Sequence, residues 1–212
     1  MYKIVIVLAT VVGLVGCTHT GTVNTVSATN IYSGFDSKVP GRATYTIDGT
    51  SLSKLKKDDA VKGFICAAHR YPVDGTDSFI TSVPSMLDSV FEESTEQVND
   101  SRKGVINFVF RVERYDAKLK FSKKFFSADG DATVDLSVSA VGTVNGKRVF
   151  GTTVDSQRSA SSEAGPFCSG GEEGLHEATA AVIKDVLEKI GERISNSPQV
   201  RAAAPVVPQK RK

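Results

Sequence analysis

VINFVFRVERYDAKLKF, residues 105–121, alternates apolar and polar side chains over most of its length. Ile106, Phe108 and Phe110 would face one side of an extended chain, and Asn107 and Arg111 would face the other. Such alternation is typical of a β-strand that buries one face and leaves the other in water. We therefore predict one long strand here, with the protein core on its apolar side.

Two further strands are predicted downstream, joined by a tight turn. Residues 132–144 repeat the alternation of apolar and polar side chains. Asn145-Gly146 follows, a pair that accepts the positive φ angles of a two-residue hairpin turn. Residues 147–159 then provide the return strand, which fades into a Ser-rich loop.

The flanking segments supply one more strand and two helices. Gly63–Tyr71 is a short apolar run closed by Pro72, which predicts the first strand of the domain. Residues 78–98 and 175–194 space their apolar side chains as amphipathic helices do. The order strand, helix, three strands, helix predicts an α+β fold: an antiparallel sheet of about four strands with two helices packed on one face.

The amino terminus has the pattern of an export signal. Residues 1–16, MYKIVIVLATVVGLVG, contain one lysine and then an uncharged, mostly apolar run. That run is shorter than the roughly 20 apolar residues that span a bilayer, and it has the length of a signal-peptide core. It ends in Leu14-Val15-Gly16-Cys17, which resembles the lipobox of bacterial lipoproteins. The alternative is an ordinary secretory signal followed by an unrelated cysteine.

The lipobox resemblance implies a membrane anchor. In bacterial lipoproteins a diacylglycerol is attached to the cysteine sulfur, a peptidase cuts before the cysteine, and the new amine is acylated. Lipidation, with acyl groups such as palmitate, is thus expected at Cys17. Thr18 follows it, where in enteric bacteria an Asp would retain the protein in the inner membrane. We expect a protein of the cell outer membrane, anchored by its N-terminal lipid and facing the periplasm.

Composition divides the chain into four regions. Residues 1–16 are the signal peptide, and residues 17–62 are the lipidated cysteine and a flexible, polar tether, with a short strand near Ala43–Ile47. Residues 63–196 form the globular domain. Residues 197–212 form a basic tail rich in Pro and Ala, which we predict to be disordered.

Cys66 and Cys168 remain once Cys17 is lipidated. In an oxidising compartment two such cysteines usually pair, so we predict a disulfide that ties the first strand to the entry of the last helix. Two alternatives use the same thiols. Cys66 and Cys168 could bind zinc with His69 and His176, or a Cys–His pair could act as a nucleophile. Neither the local spacing of zinc ligands nor a signature of cell-wall cysteine peptidases is present.

A basic segment near the end of the first long strand is a candidate binding patch. It contains Lys118, Lys120, Lys123 and Lys124, interleaved with phenylalanines. These cations could bind an anionic glycan or the phosphates of lipopolysaccharide. The alternative is a strand end whose rings enter the core while its lysines stay in water.

Composition and motifs exclude several function classes. A net charge of +2 argues against nucleic acid as a partner. The sequence has no G-x-S-x-G, P-loop or G-x-G-x-x-G motif. We therefore expect no enzyme activity, no catalytic residue, no cofactor and no metal.

The element order over residues 61–195, behind a lipobox, is similar to that of small periplasmic-facing lipoproteins. These assist larger machines, such as penicillin-binding proteins, lipopolysaccharide assembly and transporters. The resemblance implies an accessory or adaptor subunit that binds an envelope protein. It assigns no binding residue, and the surfaces that we expect to make the contact are the sheet edge and the basic Lys118–Lys124 region. The alternative is a carrier of lipid or glycan, with the space between sheet and helices as its pocket.

Overall fold

The long strand expected at residues 105–121 lies at the centre of a mixed sheet in a computed structural model of the chain. The structure describes residues 17–61, 66, 68–98, 103–123, 128–165 and 168–204. The predicted signal peptide, and residues 205–212 of the predicted tail, lie outside the described residues.

Three long antiparallel strands dominate the sheet. They are β5 (Ile106–Lys123), β6 (Ala128–Val144) and β7 (Lys147–Glu163). Asn145 and Gly146 join β6 to β7 with φ angles of 50° and 77°. The hairpin turn predicted at this pair is thereby confirmed, because both residue types tolerate the left-handed region.

Two short strands complete the sheet and make it mixed. β1 (Ala43–Ile47) pairs in parallel with β5, and β4 (Glu96–Gln97) pairs in parallel with β1. The strand order is β4-β1-β5-β6-β7. The α+β class is confirmed, but the sheet has five strands with two parallel pairings rather than about four antiparallel ones. β1 lies at Ala43–Ile47, where a short strand was predicted, whereas the two residues of β4 leave little local pattern to predict it from.

The predicted first strand belongs to a separate hairpin. β2 (Lys56–Ala60) and β3 (Arg70–Asp74) form a two-stranded antiparallel sheet. A short helix, α1 (Gly49–Leu52), and a 3₁₀ turn (Ser53–Leu55) lead into it from β1. The strand expected at Gly63–Tyr71 therefore starts later, and the described Cys66 lies in the connection before β3 rather than on a strand.

Both expected helices are present, and a further short helix, α4, follows them. They are α2 (Thr76–Val90), α3 (Gly170–Ser195) and α4 (Pro198–Ala203). α3 lies against β5, β6 and β7, and α2 packs against α3. Pro84 lies inside α2, where it cannot donate the backbone hydrogen bond that the carbonyl of Ile80 would otherwise accept.

The core lies between the sheet and α3. The apolar face of β5 supplies Ile106, Phe108, Phe110 and Val112, all fully buried as the alternation predicts. Complete burial of one such side chain is worth about 1.5–3 kcal/mol.

The folded body begins before residue 63. The segment interpreted as a tether contains β1, β2 and the buried side chains of Val23, Ala28 and Val39. At the other end, α4 buries Val200 within the segment interpreted as a tail. The buried apolar side chains of both segments belong to the same core cluster as those of the sheet and of α3.

Candidate functional site

Cys17 lies on the surface and is held against the domain by its own backbone. Its carbonyl accepts a hydrogen bond from the N–H of Arg70 at 3.1 Å, and the N–H of His19 donates to the carbonyl of Arg70 at 2.9 Å. Thr18 thus forms a parallel bridge with Arg70, on the edge of β3 that β2 leaves free. The thiol of Cys17 is exposed and is not part of a disulfide. A group bound to this sulfur would start at the surface of the domain.

Four aromatic rings extend from the anchor residue toward the end of β5. The Nε2 atom of His19 lies 2.8 Å from Nδ1 of His69, so one ring donates and the other accepts. The ring of His19 also stacks on that of Tyr71, with centroids 5.1 Å apart. The ring of Tyr71 lies 5.7 Å from that of Phe121. We call the surface around Cys17, this row of rings and the end of β5 the anchor end.

A disulfide between Cys66 and Cys168 lies at the same end, as the sequence predicted. Both residues have positive φ, 60° and 62°. The hydroxyl of Tyr71 donates to the carbonyl of Cys168 at 2.6 Å, and burial raises the pKa of Tyr71 to about 12. The disulfide leaves neither Cys66 nor Cys168 with the free thiol that the zinc and nucleophile interpretations require. His69 is bonded to His19 instead.

The predicted basic patch is partly neutralised. Lys118 forms an ion pair with Asp116 at 2.8 Å, and that pair lowers the pKa of Asp116. Lys120 is exposed, but Asp131 lies directly opposite it on β6. Lys123 is exposed opposite Ala128, and Lys124 lies outside the described residues. Among the described lysines of the patch, Lys118 is thus paired with a carboxylate, and Lys120 and Lys123 are exposed along the end of β5.

Residues 20–34, which we call the strap, lie along α2 and α3. Ser78 and Ser82 of α2 donate their hydroxyls to the carbonyls of Asn24 and Val26, at 2.9 and 2.7 Å. The recognised carbonyls are two residues apart, as in an extended chain whose alternate groups face the same way.

The second half of the strap is held by α3. The N–H groups of Asn30, Tyr32 and Gly34 donate to side chains of Glu188, Glu192 and Asn196, at 3.0, 3.4 and 2.7 Å. Asn196 also donates its amide to the carbonyl of Tyr32 at 2.9 Å. Helix side chains therefore hold the strap mainly by its backbone.

A glycine of α3 makes room for the strap. A Cβ atom at Gly191 would lie 2.6 Å from Cδ1 of Ile31 and 3.1 Å from Cγ of Met86. Close approach of a backbone to a neighbouring segment is a common reason for glycine inside a helix. The sequence alone gives no reason for a glycine at position 191, and the reason is the contact with Ile31.

One interior cavity next to α3 is small. Between β3, β5 and α3, a cavity lined by Tyr71, Val73, Leu119 and Leu175 has a volume of about 10 Å³, enough for one water molecule. Open surface clefts of about 430 and 810 Å³ lie beside the strap. The cavity is therefore too small for the lipid or glycan that a carrier would hold.

His176 is the most buried histidine of the described part of the chain. Burial lowers its pKa, against the opposing charge of Glu172, whose Oε1 lies 3.9 Å from Nδ1. Its Nε2 has no hydrogen-bond partner among the described atoms. No described group of three or more His, Cys, Asp and Glu residues could hold a metal ion.

Among the described residues, no helix combines the length and apolarity needed to cross a bilayer.

Comparison with known proteins gives distant likenesses. No protein-family model and no curated protein matches the sequence. A minor lipoprotein from Acinetobacter baumannii is similar in structure, with 16% identity and a TM-score of 0.38, over 73% of this chain and 90% of that one. A DUF330 protein from Xanthomonas campestris has 11% identity and a TM-score of 0.42, over 87% of this chain and 95% of that one. Both TM-scores are below 0.5, so neither neighbour indicates a function for this chain.

Proposed function

We propose that the chain is an outer-membrane lipoprotein that acts as a non-enzymatic accessory or adaptor subunit of an envelope protein complex. The observation that carries the proposal is the state of the three cysteines. Cys17, at the end of the lipobox-like sequence, is exposed with a free thiol, while Cys66 and Cys168 are joined in a disulfide. That division suits a lipidated exported protein, since disulfides persist in oxidising compartments.

The long sheet supports an adaptor role. β7 is an edge strand of 17 residues, and most of its side chains are exposed. A strand of this length has backbone groups on its outer edge to which an extended segment of a partner could add. We propose this edge as the surface that contacts the envelope partner. The basic segment, through Lys120 and Lys123, is a second surface, which would contact an anionic glycan or lipopolysaccharide.

Photo-crosslinking in living cells tests the adaptor role. A photo-reactive residue at Gln157, exposed on β7, should crosslink the lipidated chain to one envelope protein, which should also copurify with the unmodified chain. The same residue at Thr50, exposed on α1, serves as the matched control and should not capture that protein. Equal crosslinking from both positions, or none from Gln157, would contradict the β7 contact.

Charge reversal tests the second surface separately. Lys123→Glu should weaken retention of the lipidated chain on purified lipopolysaccharide and leave the Gln157 crosslink unchanged. Lys147→Glu, at the opposite end of the hairpin, is the matched control. Unchanged retention of the Lys123→Glu chain would remove the basic segment from the proposal.

A further inference from the structure

We propose that the anchor end is a membrane-contact surface, which the docked strap holds flush against the headgroup layer of the bilayer. The inference rests on the proposed function, because it requires acyl chains on Cys17. It adds an orientation: one end of the domain lies on the membrane, and the turn between β6 and β7 points away from it.

The anchor residue has no free chain between it and the domain. Cys17 and His19 are both hydrogen-bonded to the backbone of Arg70, and the ring of His19 is bonded to that of His69. Acyl chains that insert in the bilayer from Cys17 would therefore bring Arg70 and its neighbours to the headgroups. An unstructured tether would not do so.

The docked strap keeps Cys17 from moving away from the domain. If residues 18–38 were undocked, they could extend to about 70 Å at the usual rise per residue. In the structure, the strap is held along two helices by hydrogen bonds to its backbone, and the side chains of Val23 and Ala28 are buried. Beyond it, the N–H of Val39 donates to the carbonyl of Val90 at 2.8 Å, so the chain is fixed at both ends of the strap.

The row of rings shows which part of the long sheet lies beside the anchor. From His19 it passes through Tyr71 to Phe121, near the end of β5. Ser122 and Lys123, the last residues of β5, are exposed there. Lys147, at the start of β7, lies at the other end of β6, whose 17 residues span about 55 Å.

Charge plays a minor part in the contact. Arg70 and Lys123 are exposed cations at the anchor end, but Asp58 lies 3.6 Å from Arg70, and the exposed Asp131 and Glu163 are close to the end of the sheet. Contact should therefore follow from the anchor and the strap and should depend little on anionic lipid.

Quenching by headgroup-labelled lipid tests the orientation. The full mature lipidated chain carries a fluorophore on Ser122→Cys or on Lys147→Cys, and each is the only free thiol once the sulfur of Cys17 carries its diacylglyceryl group. Two kinds of vesicle are compared: one of phosphatidylethanolamine and phosphatidylglycerol, and one of phosphatidylcholine alone. Both contain lipid with a spin-labelled headgroup as the quencher. We expect several-fold stronger quenching at position 122 than at 147 in both kinds of vesicle.

A slack anchor is the control. A flexible Gly/Ser linker of about 20 residues between Thr18 and His19, with a root-mean-square span of about 25 Å, leaves the strap and the domain unchanged. It should reduce quenching at position 122 to the level at 147. Equal quenching at the two positions in the vesicle-bound chain without the linker would overturn the membrane-contact surface and leave the proposed function standing. If the wild-type mature chain isolated from its host carries no lipid on Cys17 and does not bind the vesicles, both the membrane-contact surface and the proposed lipoprotein function are overturned.

Discussion

Cys66 and Cys168 are joined across 102 residues by a disulfide, with their Cα atoms 6.0 Å apart. The disulfide links the connection before β3 to the start of α3, and the carbonyl of Cys168 accepts a hydrogen bond from the hydroxyl of Tyr71. The anchor end is thus held together by covalent and hydrogen bonds among segments far apart in sequence.

Loss of this disulfide should destabilise the domain. Because the loop it closes is long, the double change Cys66→Ser and Cys168→Ser should lower the free energy of unfolding by about 2–5 kcal/mol. Urea unfolding of the chain with and without reductant measures the difference. A reductant should have no effect on the double variant, and equal stability of the two chains would contradict the structural role of the bond.

Gly191→Ala should loosen the strap. The added methyl group would lie 2.6 Å from Cδ1 and 3.1 Å from Cγ1 of Ile31, so the Ile31 side chain must leave its present position against α3. We expect faster hydrogen exchange at the N–H groups of Asn30, Tyr32 and Gly34, measured in the native protein. Gly49→Ala is the matched control, since a Cβ there meets nothing within 4 Å. If the two variants exchange alike at these N–H groups, the strap is not held as described.

Asp185 should stabilise the contact between α3 and β7. Burial favours a higher pKa for this carboxyl, but hydrogen bonds from Lys189 and Ser156 and the charges of Lys189 and Arg158 outweigh burial, so its pKa is lowered. A lowered pKa in the folded state means that the stabilisation is present above the unfolded value near 4 and is lost as pH falls through the folded value.

Asp185→Asn should therefore cost about 1–3 kcal/mol at pH 7 and progressively less below pH 4. Urea midpoints at pH 7, 5 and 3 measure the change. Asp155→Asn, whose carboxylate is 64% exposed and lies 3.6 Å from Arg114, is the control and should cost little at any pH. A constant cost of Asp185→Asn across this pH range would contradict the assigned ion pairs.

His176 should make the domain less stable in mild acid. Burial lowers the pKa of this imidazole, so below about pH 6.5 the unfolded chain binds a proton that the folded chain does not. Stability then falls with falling pH by at most about 1.4 kcal/mol per unit until the folded pKa is reached. His176→Leu should flatten this dependence in urea titrations between pH 7.5 and 5. An unchanged slope would show that other groups cause it.

Local periodicity was enough to predict the main elements. The alternation at Phe108 and Phe110, the Asn145-Gly146 turn and the apolar stripe of α3 each depend on near neighbours in sequence. The disulfide was predicted from compartment and cysteine number alone. The patterns of the strand, the turn and the helix were strong because each reflects either the burial of one face or a required backbone angle.

The strap and the ring row could not be predicted in that way. The strap is polar, and the side chains of Ser78 and Glu188 that hold its backbone are more than 50 residues away in sequence. His19 and His69 are separated by 50 residues, and neither position has a pattern that indicates its partner. Sparse apolar residues suggested a tether because their distant pockets were not visible in sequence.

The proposed function depends most on the chemistry of Cys17. Cells fed a clickable analogue of palmitate should yield a labelled protein, and mass spectrometry of its amino-terminal peptide should show a diacylglyceryl group and an acylated amine on Cys17. Cys17→Ser should abolish the label, and the double change of Cys66 and Cys168 to serine should leave the label on the protein that remains. An unlabelled wild-type chain that keeps Cys17 as a free thiol would contradict the account.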